Sequence, residues 1–220
     1  VTILTKSKSL SSGSTPWAQG GIVYKGLNDS PEKLKKDIKR AGSEHTWDAA
    51  VNHLCKNGPR LVESFLINKL QTPFDKSKDK LKRVSEGAHS DARVIYHADK
   101  TGESIHKSSL AYLESLPGVE VISNHTAIDL LTFSHHSTVS TDIYKKPACF
   151  GAMVLDQNNK EVIAFLASKT ILATGGLGQL FLHSTNPKGA TGDGVAMAWR
   201  AGARCFNLHY VQFHPTALYH

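Results

Sequence analysis

"STPWAQGGI", residues 14–22, decides how the rest of the chain is read. It follows a short apolar stretch, "VTILTK" (residues 1–6), that reads as a buried strand, and it sets two adjacent glycines after a glutamine. Glycine lets a backbone pass close to a ligand with no Cβ in the way, and backbone N–H groups are what an anionic phosphate requires. Yet no G-x-G-x-x-G nucleotide fingerprint occurs anywhere in the 220 residues. A glycine loop of this kind without that fingerprint raises the question of what else the chain carries.

Outward from the loop, Ser30 and Pro31 supply an N-cap and a first-turn proline for a basic amphipathic helix reaching about Ala41. Thr46 is placed to cap a second helix through "WDAAVNHLCKN". That helix should stop at Gly58-Pro59, where a third, "RLVESFLINKL", begins. Residues 71–109 show few periodic signals and read as a loop region holding His, Glu, Ser and Arg. From Pro117 the pattern changes to short apolar runs: "VEVIS", "AIDLLTF", "CFGAMVLD", "EVIAFLAS" and "TILATGG", with Asn158-Asn159 as a hairpin turn between the third and fourth. A helical "GVAMAWRAGA" follows. Helices, then strands, then a helix indicate an α/β domain carrying an antiparallel meander.

The bulk properties narrow the function. With 40% hydrophobic and 20% charged residues the chain is ordinary globular material. Twenty-six Lys and Arg against nineteen Asp and Glu give +7, which suits an anionic partner such as a phosphorylated cofactor or a dicarboxylate. The basic stretches "PEKLKKDIKR" and "FDKSKDKLKR" mix in acids and lack the interleaved aromatics of a nucleic-acid platform, so nucleic acid is not the expected partner. Cys55, Cys149 and Cys205 are odd in number and far apart, which supports neither a disulfide framework nor a C-x-x-C metal or redox site. No stretch approaches the ~20 apolar residues of a membrane span. A reducing, intracellular setting fits best.

Three constellations carry chemistry. "TILATGG" (170–176) is an apolar, β-branched run that ends in a hydroxyl and two glycines, where a backbone can meet a ligand closely. "TGDG" (191–194) opens an Ala-rich helix and puts Asp193 where it can cap free N–H groups or accept from a ligand hydroxyl, and both roles stand open. "NLHYVQFHPTALYH" (207–220) holds three histidines, none at H-E-x-x-H metal spacing.

Together, "STPWAQGGI", "EGAHSDARVIYHADKTGESI", "ILATGG", "TNPKGATGDGVAMAWRAGA" and "QFHPTALYH" resemble the flavoprotein of the succinate dehydrogenase and fumarate reductase family, most of all its L-aspartate oxidase branch. The resemblance implies an FAD-binding Rossmann-like domain of the glutathione-reductase type over residues 1–207, with an antiparallel β-meander. Residues 208–220 would begin an α+β capping domain. Family members open on a strand and G-x-G-x-x-G loop that would lie before Val1, so the expectation is an internal piece starting at the second strand of the dinucleotide fold. The catalytic arginine and a helical domain would lie beyond His220.

By position, the resemblance puts Lys6 near the adenosine end of FAD, and Ser14, Thr15, Pro16, Trp17, Ala18, Gln19, Gly20 and Gly21 around its pyrophosphate, ribityl chain and ring. Backbone groups at Thr126 and Ala127 would meet the adenine. Ala173, Thr174 and Gly175 would line the cofactor, and Asp193 would hold its flavin side. Ser14 stands where respiratory members carry the histidine linked covalently to FAD, so the flavin is expected to be non-covalent. Glu86 in "EGAHS" matches the glutamate facing the substrate ammonium, and His214 with Thr216 matches the grip on a substrate carboxylate. His89 and Arg93 are open between that site and a solvated loop. Ala88 departs from the second glycine that relatives tend to show, and "TPW" replaces a more usual aromatic pair.

The implied reaction is oxidation of L-aspartate to iminoaspartate, with oxygen or fumarate as final acceptor and quinolinate synthase as the downstream enzyme, in the cytoplasm and away from membranes. The alternative is a soluble fumarate reductase or succinate dehydrogenase flavoprotein. From other classes, a non-catalytic flavin- or nucleotide-binding module and a basic RNA-binding protein remain as rivals.

Overall fold

The computed structural model of the chain describes residues 1–213. In chain order its regular elements are β1 (Thr2–Leu4), β2 (Ile22–Val23), α1 (Pro31–Ala41), α2 (Asp48–Leu61), β3 (Lys76–Ser77), β4 (Lys80–Leu81), β5 (Val94–Ile95) and α3 (Thr101–Glu114). They continue as β6 (Glu120–Ile122), β7 (His125–Thr132), α4 (Phe133–His136), β8 (Cys149–Asp156), β9 (Glu161–Leu166) and α5 (Asp193–Arg200). The chain divides into two compact units, one of residues 1–14 with 118–220 and one of residues 15–117.

In the first unit β1 runs parallel to β6, Thr2 opposite Glu120 and Leu4 opposite Ile122. Parallel pairing of strands so distant in sequence is the signature of a crossover α/β sheet. Beside it β7, β8 and β9 form an antiparallel meander in that order. The hairpin at Asn158-Asn159 forms as expected. Asp156 accepts from the Asn158 backbone at 2.8 Å and from the Asn159 amide at 2.7 Å, while Lys160 takes the positive φ of 60° that closes the turn. α5 packs on β7, and Leu130, Ala152, Val154 and Met197 form the buried cluster between them. Burial of each such side chain contributes roughly 1.5–3 kcal/mol for the larger ones.

In the second unit Ser30 caps α1, its hydroxyl accepting from Lys33 N at 3.2 Å, with Pro31 at the first helical position. Leu34 of α1 meets Val51 and Cys55 of α2, and a second cluster joins Tyr24, Val62, Phe74 and Ile95.

Four sequence expectations are corrected here. Thr46 does not cap α2: the cap position falls one residue later, on Trp47, and the Thr46 hydroxyl is buried without a hydrogen bond among the described residues. Asp48 in the first turn meets the positive helix end instead. Gly58-Pro59 does not break the helix. Pro59 removes one donor, and the backbone runs on into a π-helical stretch, Val62–Lys69, whose wider i→i+5 pairing is seen in the bond from Leu70 N to Phe65 O at 2.8 Å. Residues 71–109 are not all loop: Val94 and Ile95 are fully buried in β5, which pairs with β2, and α3 begins at Thr101. Finally, "TILATGG" has no strand partner among the described residues, and Ile171 is 87% exposed, so the apolar run joins no ladder.

Candidate cofactor and substrate site

The candidate residues fall into two sets, one in each unit. In the first, the end of β1 delivers Lys6 to the start of α5. Its ammonium donates to Asp193 Oδ2 at 2.6 Å and to Thr191 Oγ1 at 2.7 Å, and Thr191 donates in turn to Asp193 Oδ1 at 2.8 Å. The Lys6 bond, followed by that of Thr191, holds the Asp193 carboxyl below the ordinary carboxylate range. Gln157 ties the same corner to β7, its amide donating to Lys6 O and to Thr126 Oγ1, both at 2.7 Å. β7 is an edge strand of the meander, so alternate backbone groups near Thr126 and Ala127 face away from β8.

The glycines explain how Thr174 reaches this corner. A Cβ on Gly194 would lie 1.7 Å from Thr174 Oγ1, so the first turn of α5 sits directly on that side chain. Gly192 takes a left-handed φ of 78° and its N–H donates to Gly176 O at 3.2 Å. Among the described residues nothing lies within 4 Å of where a Cβ on Gly175 or Gly176 would stand, and Ala173, Thr174 and Gly175 are exposed. Lys6, Thr174 and Asp193 thus meet at one glycine-rich turn, with Thr126 tied to Lys6 through Gln157. That is a chemistry able to hold an anionic nucleotide: a cation, a carboxylate for ribose hydroxyls and uncrowded N–H groups. Ser14 is exposed at the end of the first segment of this unit.

In the second unit Thr15, Pro16 and Trp17 form a single tight turn, closed by the bond from Ala18 N to Thr15 O at 3.2 Å. The turn rests on α3. Gly102 N donates to Ala18 O at 2.8 Å, and a Cβ on Gly102 would come within 2.0 Å of Thr15 O. The two loop glycines then differ in kind. Gly21 is demanded by the protein itself, because its Cβ would strike Val94 Cγ1 at 2.3 Å and Ile95 O at 2.5 Å. Gly20 meets only Glu86, whose Oε1 stands 3.4 Å from its built Cβ position. Gln19, Gly20 and Trp17 are exposed.

Glu86 itself is exposed, and the segment that carries it, whose His89 N donates to Glu86 O at 3.1 Å, is tied to an ion network. Arg93 is fully buried and donates through Nε and Nη2 to the two oxygens of Asp29, both at 2.7 Å, and through Nη1 to Asp37 at 2.5 Å and to His89 Nδ1 at 2.9 Å. Asp37, on α1, also accepts from Ser90 N at 2.9 Å and Ser90 Oγ at 2.8 Å, and Arg40 donates to Ala88 O at 2.7 Å. Burial alone would raise the Asp37 carboxyl, but the Ser90 and Arg93 bonds outweigh it and hold it well below its usual range. Arg93 likewise holds Asp29 low. Arg93 and His89 therefore belong to the support of the loop rather than to a solvated surface. Ala88 has φ 66°, the conformation for which glycine is best suited.

His214 and Thr216 lie outside the described residues. Asp29, Asp37, Gly102, Gln157 and Thr191 were not singled out in the sequence. Thr191 had a visible signal, being a hydroxyl two residues before an N-terminal helix carboxylate. The others act through partners remote in the chain.

Glycine-rich connections around a Lys–Asp pair, on a parallel strand pair with an adjoining meander, define an α/β domain for a nucleotide cofactor. The chain belongs to the FAD binding domain family, whose sequence profile matches residues 1–220, and FAD is its cofactor. Similar curated proteins include L-aspartate oxidase 1 of Ralstonia nicotianae, 36% identical over 220 residues, and L-aspartate oxidase of Halobacterium salinarum, 38% identical over 223 residues. Each alignment covers 99% of this chain but only 40% and 41% of the relative, so the chain spans about two-fifths of their length. Among solved structures, the Mycobacterium smegmatis Sdh1 complex superposes with a TM-score of 0.76 at 25% identity over 91% of this chain and 34% of that one. E. coli quinol fumarate reductase FrdA gives a TM-score of 0.79 at 21% identity, over 90% and 32%, which speaks for the fold alone. No described helix is long and apolar enough to cross a membrane.

Proposed function

We propose that the chain is the flavin-binding part of an enzyme that oxidises L-aspartate to iminoaspartate, with oxygen or fumarate as the final acceptor. In this reading it takes the first step of quinolinate and NAD synthesis, in the cytoplasm and upstream of quinolinate synthase. What supports it is an exposed carboxylate, Glu86, beside Gly20 of the glycine loop, on a segment whose Ala88, His89 and Ser90 are tied to Arg40, Arg93 and Asp37, in a chain whose relatives are named L-aspartate oxidase over 99% of its length. FAD supplies the hydride-accepting chemistry when bound. The chain's own groups hold and orient. Lys6, Thr126, Ala127 and residues 173–175 would meet the adenosine and phosphate portions, Asp193 the flavin side, and residues 14–21 would wrap the middle. Ser14 has no imidazole with which to form the covalent flavin link, so the flavin is held non-covalently.

Glu86 would pair with the substrate ammonium, a group that succinate lacks, and so favour the amino acid over the plain dicarboxylate. His214 and Thr216 would take a substrate carboxylate through charge-assisted hydrogen bonds. A capping domain opening at residue 208 belongs to the same reading. Glu86→Gln in the full-length protein is the direct test. Loss of one charged hydrogen bond of about 1.5–3 kcal/mol should lower kcat/KM for L-aspartate by roughly 10- to 150-fold while fumarate reduction is little changed. Equal losses on both substrates, or none, would remove Glu86 from this role and favour the fumarate reductase alternative.

A further inference from the structure

At the corner where β7 passes into α4, three side chains of one unit converge away from the residues discussed above. His135 Nε2 and His136 Nε2 stand 3.4 and 3.9 Å from the same oxygen, Asp129 Oδ2, and the three donor atoms all lie within 4.8 Å of one another. Neighbouring residues on a helix point about 100° apart, so the meeting of two consecutive histidines on one oxygen does not follow from adjacency. Their rings are not stacked, with centroids 4.8 Å apart and planes at 62°.

The spacing argues for what belongs between them. Direct N–H···O bonds fall at 2.7–3.2 Å, shorter than either separation. Two ligands bonded at about 2.0–2.1 Å to one tetrahedral ion sit about 3.3 Å apart, which the 3.4 Å from His135 to Asp129 matches, while the exposed His136, at 3.9 Å, would draw inward on binding. The carboxylate is already oriented for such a task. Arg200 Nε at 3.3 Å and Leu130 N at 3.0 Å donate to Oδ1, which leaves Oδ2 turned toward the imidazoles. Arg200 is itself fixed by its bond to Ile128 O at 2.6 Å. Both histidines are exposed enough to admit an ion and to leave a coordination position for water. Two imidazoles, one carboxylate and an open position suit zinc or a neighbouring first-row divalent ion, whereas calcium and magnesium prefer all-oxygen sites.

We propose that Asp129, His135 and His136 form a divalent transition-metal site, selective for zinc-like ions, that ties α4 to β7. The full-length flavin-loaded protein, stripped of metal with a chelator and freed of any histidine tag, is titrated with Co²⁺, followed by its visible absorption, and with Zn²⁺, followed calorimetrically. One equivalent should bind, with the visible band of a low-symmetry Co²⁺ site. His135→Asn, His136→Asn and Asp129→Asn should each weaken binding more than about a hundredfold, beyond the roughly 10- to 100-fold that loss of an outer-shell partner costs. The exposed His53→Asn, in the other unit, should leave it unchanged, and circular dichroism shows whether each variant keeps its fold. Zn²⁺ should also raise the unfolding temperature of the wild type and not that of the Asp129 variant. The absence of a stoichiometric Co²⁺ band, or binding undiminished in Asp129→Asn or in both histidine variants, overturns the proposal.

Discussion

Replacing Arg93 by methionine removes the fully buried side chain that joins Asp29, Asp37 and His89 next to the segment carrying Glu86. Methionine keeps much of the volume and none of the five donors. Breaking a buried ion pair by removing one partner costs about 3–5 kcal/mol, because the other partner is left charged and unpaired. Here the loss should fall near the lower end, at about 3 kcal/mol, because each carboxylate retains other donors. Asp29 still accepts from Gly26 N at 3.2 Å and Ser30 N at 2.9 Å, and Asp37 from Ser90 and from Arg40 at 3.1 Å. Urea unfolding read by tryptophan fluorescence is a suitable assay, since Trp17 and Trp47 lie in the same unit. With a slope of about 2 kcal/mol/M the midpoint should drop by about 1.5 M at pH 7.

The sign of the pH dependence follows from the same network. Asp29 and Asp37 have depressed pKa values in the folded wild type, so their stabilisation is present above the unfolded carboxylate value and is lost only as pH falls through the lower folded one. Without Arg93 the buried carboxyls gain by protonation, so the deficit of the variant should be largest near neutral pH and shrink toward pH ~4.5. A loss below about 1 kcal/mol, or one independent of pH, would refute the view that this network carries the loop.

Gly102→Ala would press a methyl against the Thr15 carbonyl, a backbone atom that cannot rotate away. It should cost about 1–3 kcal/mol, and it should lower the flavin content of the purified full-length protein, measured by its visible absorption. Ala88→Gly relieves a left-handed alanine, and despite the added freedom of the unfolded chain it should raise the urea midpoint by the equivalent of up to about 1 kcal/mol. A fall in the midpoint would mean that the alanine methyl contributes packing that outweighs the strain.

How much of this was legible in advance depended on whether the cause was local. The Ser30 cap and the Asn158-Asn159 hairpin each rest on residues within four positions of one another, and each formed as expected, whereas the start of α5 leans on Lys6, Thr174 and Gly176 and, among the described residues, Asp193 makes no capping bond there. Pro59 misled because a π-helical continuation absorbed the missing donor, which no propensity rule signals. "TILATGG" has the composition of a strand, but a strand needs a neighbour, and composition does not supply one. The role of Arg93 has no local signal because its partners, Asp29 and Asp37, lie 64 and 56 residues away. The same holds for Gly21 and Gly102, whose need for glycine comes from Val94, Ile95 and Thr15 rather than from a ligand. Lys6 and Asp193 were placed by resemblance, and the contact between them, 187 residues apart in sequence, is a product of the fold.

The most direct test of the central claim is hydrogen peroxide release by the full-length protein supplied separately with L-aspartate, D-aspartate and succinate under air. The proposed function predicts peroxide with L-aspartate and little or none with the other two. Turnover of succinate without turnover of L-aspartate would contradict it.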